Sequence, residues 1–173
     1  GGMNMGMGFG NKGLLRADVK WAETKVRYYQ TDVFTGQDTS DVTYFRHVTG
    51  GLMITRNSLN RKQHPNAGEC LKAELRYVVG DETTILGSTS AAAGADFKAR
   101  RDWPVAMASL DQYFLPRGIL KFGVLVEGVY SNMPMFENYT ASIIRAPAFQ
   151  PTPESRTYFI EGFRAPKYLA GGL

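Results

Sequence analysis

The chain lacks most of what a catalytic or metal-binding domain needs. Its 173 residues include one cysteine, Cys70, and two histidines, His47 and His64. A lone thiol excludes an internal disulfide framework, and neither histidine has further ligands at the spacing a metal site requires. No run approaches the ~18 consecutive apolar residues of a transmembrane helix, and mean hydropathy is −0.25. A membrane β-barrel stays open, because alternating strands average out to a polar-looking composition. Basic tracts are missing too: 20 Lys and Arg are interspersed with 16 Asp and Glu, for a net charge of +4. Charge so dispersed reads as solvated surface, and no nucleic-acid partner is expected. Gly1-Gly2-Met3 carries no basic-then-apolar leader and Gly171-Gly172-Leu173 no terminal aromatic, so the chain is read as an internal fragment.

Sequence motifs for chemistry are equally sparse. A serine hydrolase elbow needs Gly-x-Ser-x-Gly, because the nucleophile must sit on a strained strand-to-helix turn. The nearest approach, Gly87-Ser88-Thr89-Ser90-Ala91, lacks the second glycine and lies among small residues. Gly6-x-Gly8-x-Gly10 is followed by strand-like sequence rather than the helix a dinucleotide loop demands. Neither a catalytic residue nor a cofactor is expected in this chain.

What is present is a period of two. Met3, Met5, Met7 and Phe9 alternate with small or polar residues, and Leu15, Ala17, Val19 and Trp21 alternate with Arg16, Asp18 and Lys20. Val48, Gly50, Leu52 and Ile54 oppose His47, Thr49, Gly51, Met53 and Thr55 in a strand resuming at Tyr44. Leu71, Ala73, Leu75, Tyr77 and Val79 oppose Cys70, Lys72, Glu74 and Arg76, a separation that a helix would scatter around its circumference. A less regular strand is expected over Phe97 to Phe114, then another with Leu120, Phe122, Val124, Val126, Gly128 and Tyr130 opposite Lys121, Gly123 and Glu127. Beyond Ser131 alternation fails, and five prolines up to Lys167 disfavour any continuous element.

The connections alternate as well. Asn11 to Gly13, Leu59 to Gly68 and Leu115 to Gly118 are short, whereas Gln30 to Asp41, Asp81 to Ala95 and the segment from about 132 to 167 are long. Such parity is that of an all-β antiparallel transmembrane meander with tight turns on one side and long extracellular loops on the other. Trp21, Tyr28, Tyr29, Tyr44, Trp103 and Tyr130 fall near inferred strand ends, where an interfacial aromatic girdle would lie. Outer-membrane lipid is the partner this pattern calls for.

Arg56 to Pro65 with Gly68, and Ala146-Pro147-Ala148-Phe149-Gln150-Pro151-Thr152-Pro153, resemble the barrel of bacterial surface-antigen proteins. That family belongs to the superfamily of outer-membrane assembly factors and two-partner-secretion transporters. The closest likeness is to the form fused to a patatin-like phospholipase in Bacteroidetes. The resemblance implies an incomplete part of a larger barrel in the bacterial outer membrane. It would anchor or translocate a fused or associated patatin-like lipase domain, or assist outer-membrane protein assembly beside the barrel-assembly machinery. It also implies an inward-folded loop held by a Val/Ile-Arg-Gly-Phe/Tyr motif. Ile160-Glu161-Gly162-Phe163 is similar in three positions, with Glu161 in place of the arginine and Arg164 next along.

Lys72, Glu74, Arg76, Lys121 and Glu127 are expected on lumen faces, as ion pairs stiffening a barrel or as the lining of a water-filled path. Two alternatives stay open. The parent protein is a lipid acyl hydrolase with its active site outside this chain, or the chain is a small passive porin or soluble lipid-binding barrel.

Overall fold

The computed structural model describes residues 1–61, 65–90, 96–114, 122–152 and 154–173. Seven strands form one antiparallel sheet in sequence order. They are β1 (Gly2–Phe9), β2 (Gly13–Tyr28), β3 (Asp41–Asn57), β4 (Gly68–Ile85), β5 (Phe97–Phe114), β6 (Phe122–Ser131) and β7 (Lys167–Gly172). The helix α1 (Tyr139–Arg145) and two single-turn 3₁₀ segments lie between β6 and β7. β2 to β5 run 16 to 18 residues each, about three times the usual strand of ~5–6.

Register follows from alternation, since a slip of one residue would move every side chain to the other face. Val19, Gly50, Tyr77 and Pro104 are successive partners across β2 to β5, as are Lys20, Thr49, Val78 and Trp103 on the opposite face. The two faces differ in chemistry and, unusually, in which one is covered. On the first, Met5 is 76% exposed, Leu52 57% and Leu75 62%. On the second, Asp18, Thr43, Thr49, Glu74, Glu82 and Thr84 are buried alongside Phe45, Val78 and Trp103. A sheet folded for water hides its apolar face, and this one hides its polar face.

A meander places alternate connections at opposite ends. Connections 10–12, 58–67 and 115–121 lie at one end, and 29–40, 86–96 and 132–166 at the other. Every connection at the first end is shorter than any at the second, as the sequence led us to expect. Several boundaries differ from that expectation. β3 begins at Asp41 rather than Tyr44, and β4 continues through Asp81 to Ile85, so the second long loop starts later. β5 is regular despite Pro104, which sits just past the last β5–β6 pair, Val105 with Ser131. Its missing amide interrupts no ladder bond there, and its carbonyl accepts from Asn132 N at 3.3 Å. β7 resumes pairing after the proline-rich segment, with Tyr168 beside Val129.

Gly68 and Gly80 are among the glycines that close approach requires. Gly68 opens β4 at φ +97°, and a Cβ there would meet the Ser58 carbonyl oxygen at 2.3 Å. A Cβ at Gly80 would lie 2.4 Å from the Arg46 carbonyl oxygen and 2.7 Å from His47 Cβ.

Candidate functional site: the polar face and its inward segment

Segment 132–166 folds back over the polar face at the long-loop end. Its anchor is Phe136, whose ring lies 4.9 Å from Phe45 and 6.1 Å from Trp103, with Phe45 and Trp103 themselves stacked at 5.6 Å. Ala141 and Val78 complete this buried cluster. Aromatic pairs at such separations add ~0.5–1.5 kcal/mol each beyond area burial. Trp103, expected in an interfacial girdle, instead faces inward because it occupies the same parity as Val105 and Met107 in β5.

A seven-residue helix is marginal alone, and local hydrogen bonds hold this one. The Asn138 carboxamide oxygen accepts from Thr140 N at 2.7 Å and Ala141 N at 3.4 Å. Ser142 Oγ donates to the Asn138 carbonyl and accepts from Phe136 N at 2.8 Å. At the other end, Arg164 Nη1 donates to the carbonyls of Ile144 at 2.9 Å and Ala146 at 3.2 Å.

The tie between sheet and segment is Glu82, fully buried on β4. One carboxylate oxygen accepts from Arg101 Nε at 2.8 Å on β5, and the other accepts from the Glu137 backbone amide at 2.8 Å. Charge-assisted bonds of this kind are shorter and stronger than neutral ones. Arg145 lies over the Phe45 ring at 5.3 Å. Burial pushes its guanidinium pKa below the ordinary value, though the group stays charged.

Below the segment is a cleft of about 510 Å³ lined by Lys20, Lys72, Glu74, Arg76, Trp103 and Arg145, among others. Lys72 Nζ pairs with Glu74 at 2.9 Å, and Arg76 Nε donates to the other Glu74 oxygen. Asp18 is buried between Lys20 at 3.3 Å and Arg16 at 3.8 Å. These are charge contacts without hydrogen-bond alignment, since neither Asp18 oxygen has a hydrogen-bond partner. Gly51 leaves the room: a Cβ there would stand 3.3 Å from Arg76 and 3.4 Å from Asp18.

Of the expected wall charges, Lys72, Glu74 and Arg76 form one cluster. Glu127 is separate, accepting from the Tyr168 hydroxyl at 2.6 Å across β6 and β7. Lys121 lies outside the described residues, as do His64, Ala91 and the turn 115–118. Ile160, Glu161 and Phe163 are exposed, Gly162 likewise. Glu161 accepts from the Tyr139 hydroxyl at 2.8 Å, and Phe163 packs edge-on against Phe149. Together with Arg164 they brace segment 132–166 itself, and their hydrogen bonds among the described residues stay within it. Gly87 N donates to Asp41 at 2.7 Å and Ser88 Oγ to Asp38 at 3.0 Å, so this loop is tied to its neighbour rather than shaped as a nucleophile elbow. His47 stacks on Phe45 at 4.9 Å. No group of three or more His, Cys, Asp or Glu side chains converges among the described residues.

Phe136, Asn138, Arg145 and Glu82 were not singled out from the sequence. Asn138 was findable as a helix N-cap before Tyr139-Thr140-Ala141-Ser142. Glu82 was not, because an acid at the loop end of a strand carries no local sign of burial.

The class these features define is an all-β antiparallel meander sheet with one exposed apolar face and one covered polar face. No known protein family, curated protein or solved structure matches the chain significantly.

Proposed function

We propose that the chain is wall of an outer-membrane β-barrel whose exposed apolar face meets lipid and whose polar face lines the interior, part-covered by segment 132–166. One observation carries the reading: exposed apolar rows in register, bounded at both ends by charge. On β3 the outward residues run Val48, Gly50, Leu52, Ile54 between Arg46 and Arg56, and on β4 Leu71 to Val79 between Glu69 and Asp81. Arg46 and Arg56 are ten positions apart, ~34 Å along a strand and ~24 Å in height at a ~45° tilt. That height matches the ~25 Å apolar band of outer-membrane barrels. In hydrocarbon each backbone amide must be paired, which a sheet closed by further strands achieves.

The proposed job is that of the surface-antigen type: holding or translocating a fused or associated patatin-like lipase domain, or assisting outer-membrane protein assembly. Its supports are the resemblance in residues 56–65 and 146–153 and the inward fold of the long connection after β6. The wall itself performs no covalent chemistry, and the ion pairs around Glu74 stiffen it.

The test is behaviour in and out of detergent. The 173-residue chain should precipitate in plain buffer, and in detergent it should give a β-type circular dichroism spectrum with strands protected from protease. A monodisperse, folded monomer in plain buffer would overturn the reading.

A further inference from the structure

The two borders of the apolar band are not equivalent. At the short-connection border the outward strand charges are Arg56 and Glu69, which pair with each other at 3.7 Å. At the long-connection border, Glu23, Arg46, Asp81 and Arg100 are successive partners across β2 to β5, a row of alternating sign. Glu23 and Arg46 pair at 2.9 Å, so this row is neutral as a whole. Just inside it Asp102 is engaged by the Tyr77 hydroxyl.

The rows beyond are different. The next outward row is Lys25, Tyr44, Thr83 and Lys98, and above it comes Arg27 beside Val42. Lys25, Arg27 and Lys98 are exposed, and the paired residues of those rows include no acid, although exposed Asp96 directly precedes β5. Lys25 lies over the Tyr44 ring at 5.0 Å, and further round the same border Lys167 lies over Tyr130 at 4.7 Å. An ammonium on an aromatic face keeps its charge available to an anion. Trp21, Tyr77 and Tyr130 stand outward at this border and are about half-exposed, whereas Phe9, Phe114 and Phe122 face outward toward the other. Rings with a polar atom favour the headgroup level, and phenyl rings do not need it.

From this asymmetry we propose that the long-connection border is a docking surface for anionic lipid headgroups, whose phosphates are held by Lys25, Arg27 and Lys98. The inference rests on the membrane reading above and adds which leaflet carries the negative charge. On its own strand each of Lys25 and Lys98 stands two residues beyond the neutral row's charge, Glu23 on β2 and Arg100 on β5, ~5 Å higher at the same tilt. That is where headgroup phosphates lie above an apolar band. The neutral row beneath serves the transition, since its own charges are already matched.

The experiment is flotation of the detergent-folded full chain with vesicles of pure phosphatidylcholine and of phosphatidylcholine containing phosphatidylglycerol, at fixed salt. Wild type should bind both, with a partition advantage for the anionic vesicles of about 5-fold per engaged cation. The variant Lys25→Gln/Arg27→Gln/Lys98→Gln should bind phosphatidylcholine as wild type does and lose that advantage. A charge-matched control, Lys12→Gln/Arg56→Gln/Arg61→Gln, should retain it. Equal partition of wild type between the two vesicles, or equal loss in the control, would overturn the proposal. A detergent-solubilised dimer that the Lys25, Arg27 and Lys98 variant converts to monomer would assign the surface to a second copy and also overturn it. Absence of binding to pure phosphatidylcholine would instead remove the membrane reading on which the proposal stands.

Discussion

A single carboxylate connects the two parts of the molecule. Glu82 is fully buried and accepts from Arg101 on one oxygen and from the Glu137 amide on the other. Removing one member of such a buried pair leaves an uncompensated charge, at a cost of ~3–5 kcal/mol. Glu82→Leu should therefore release segment 132–166 and expose the Phe45, Trp103 and Phe136 cluster, whereas Glu82→Gln, which keeps an acceptor, should do so less. The readout is tryptophan emission. Trp21 is already half-exposed and Trp103 is 3% exposed, so a red shift in Glu82→Leu reports on Trp103. An unchanged spectrum and unchanged protease resistance of the segment would refute the role given to Glu82.

Among elements, the loops at the long-connection end are joined by hydrogen bonds rather than by apolar contact. Asp38 accepts from Thr35 N at 2.7 Å, from Thr35 Oγ1 at 2.9 Å and from Ser88 Oγ at 3.0 Å. These bonds, the Thr35 amide foremost, hold the Asp38 carboxyl below its ordinary pKa of 3.8. A carboxyl depressed in the folded state stabilises it fully above the unfolded pKa, and the stabilisation is lost as pH falls through the folded one. Protease cleavage in residues 30–40 should therefore rise as the pH drops below about 3.8, and Asp38→Asn should cut readily at all pH values with that dependence flattened. A wild-type loop equally resistant at pH 3 and pH 6 would rule the link out. Elsewhere at this scale, β1 to β6 and the ends of most connections could be read from alternation and turn residues. The extension of β4 to Ile85 could not, because Asp81-Glu82-Thr83-Thr84 is polar on both parities. Only the pairing of Thr84 with Thr43 and Phe97, and of Glu82 with Phe45, makes it strand.

For the whole molecule the issue is which face meets water. If lipid covers the apolar rows, Leu75→Arg should cost ~2–4 kcal/mol, the figure for a cation near the midplane on a barrel's outer face. The same change on a sheet bathed in water should cost little, since Leu75 is 62% exposed. Urea unfolding of wild type and variant in phosphatidylcholine vesicles separates the two, and equal midpoints would speak against lipid contact. Among the described residues, the seven-stranded sheet leaves β1 and β7 as free edges running in the same direction. Antiparallel closure of the proposed barrel thus calls for an odd number of further strands.

Alternation by itself determined that this chain is all-β, that its apolar and polar residues take opposite faces, and that Lys72, Glu74 and Arg76 share one of them. Period two needs only the pleat, so it is written locally. The fold of segment 132–166 onto Phe45 and Trp103, the burial of Glu82, and the separation of Glu127 from the Glu74 cluster were decided by tertiary structure. Each joins residues far apart in sequence or depends on strand register. No local pattern states which distant group will satisfy a buried carboxylate or cover an aromatic ring.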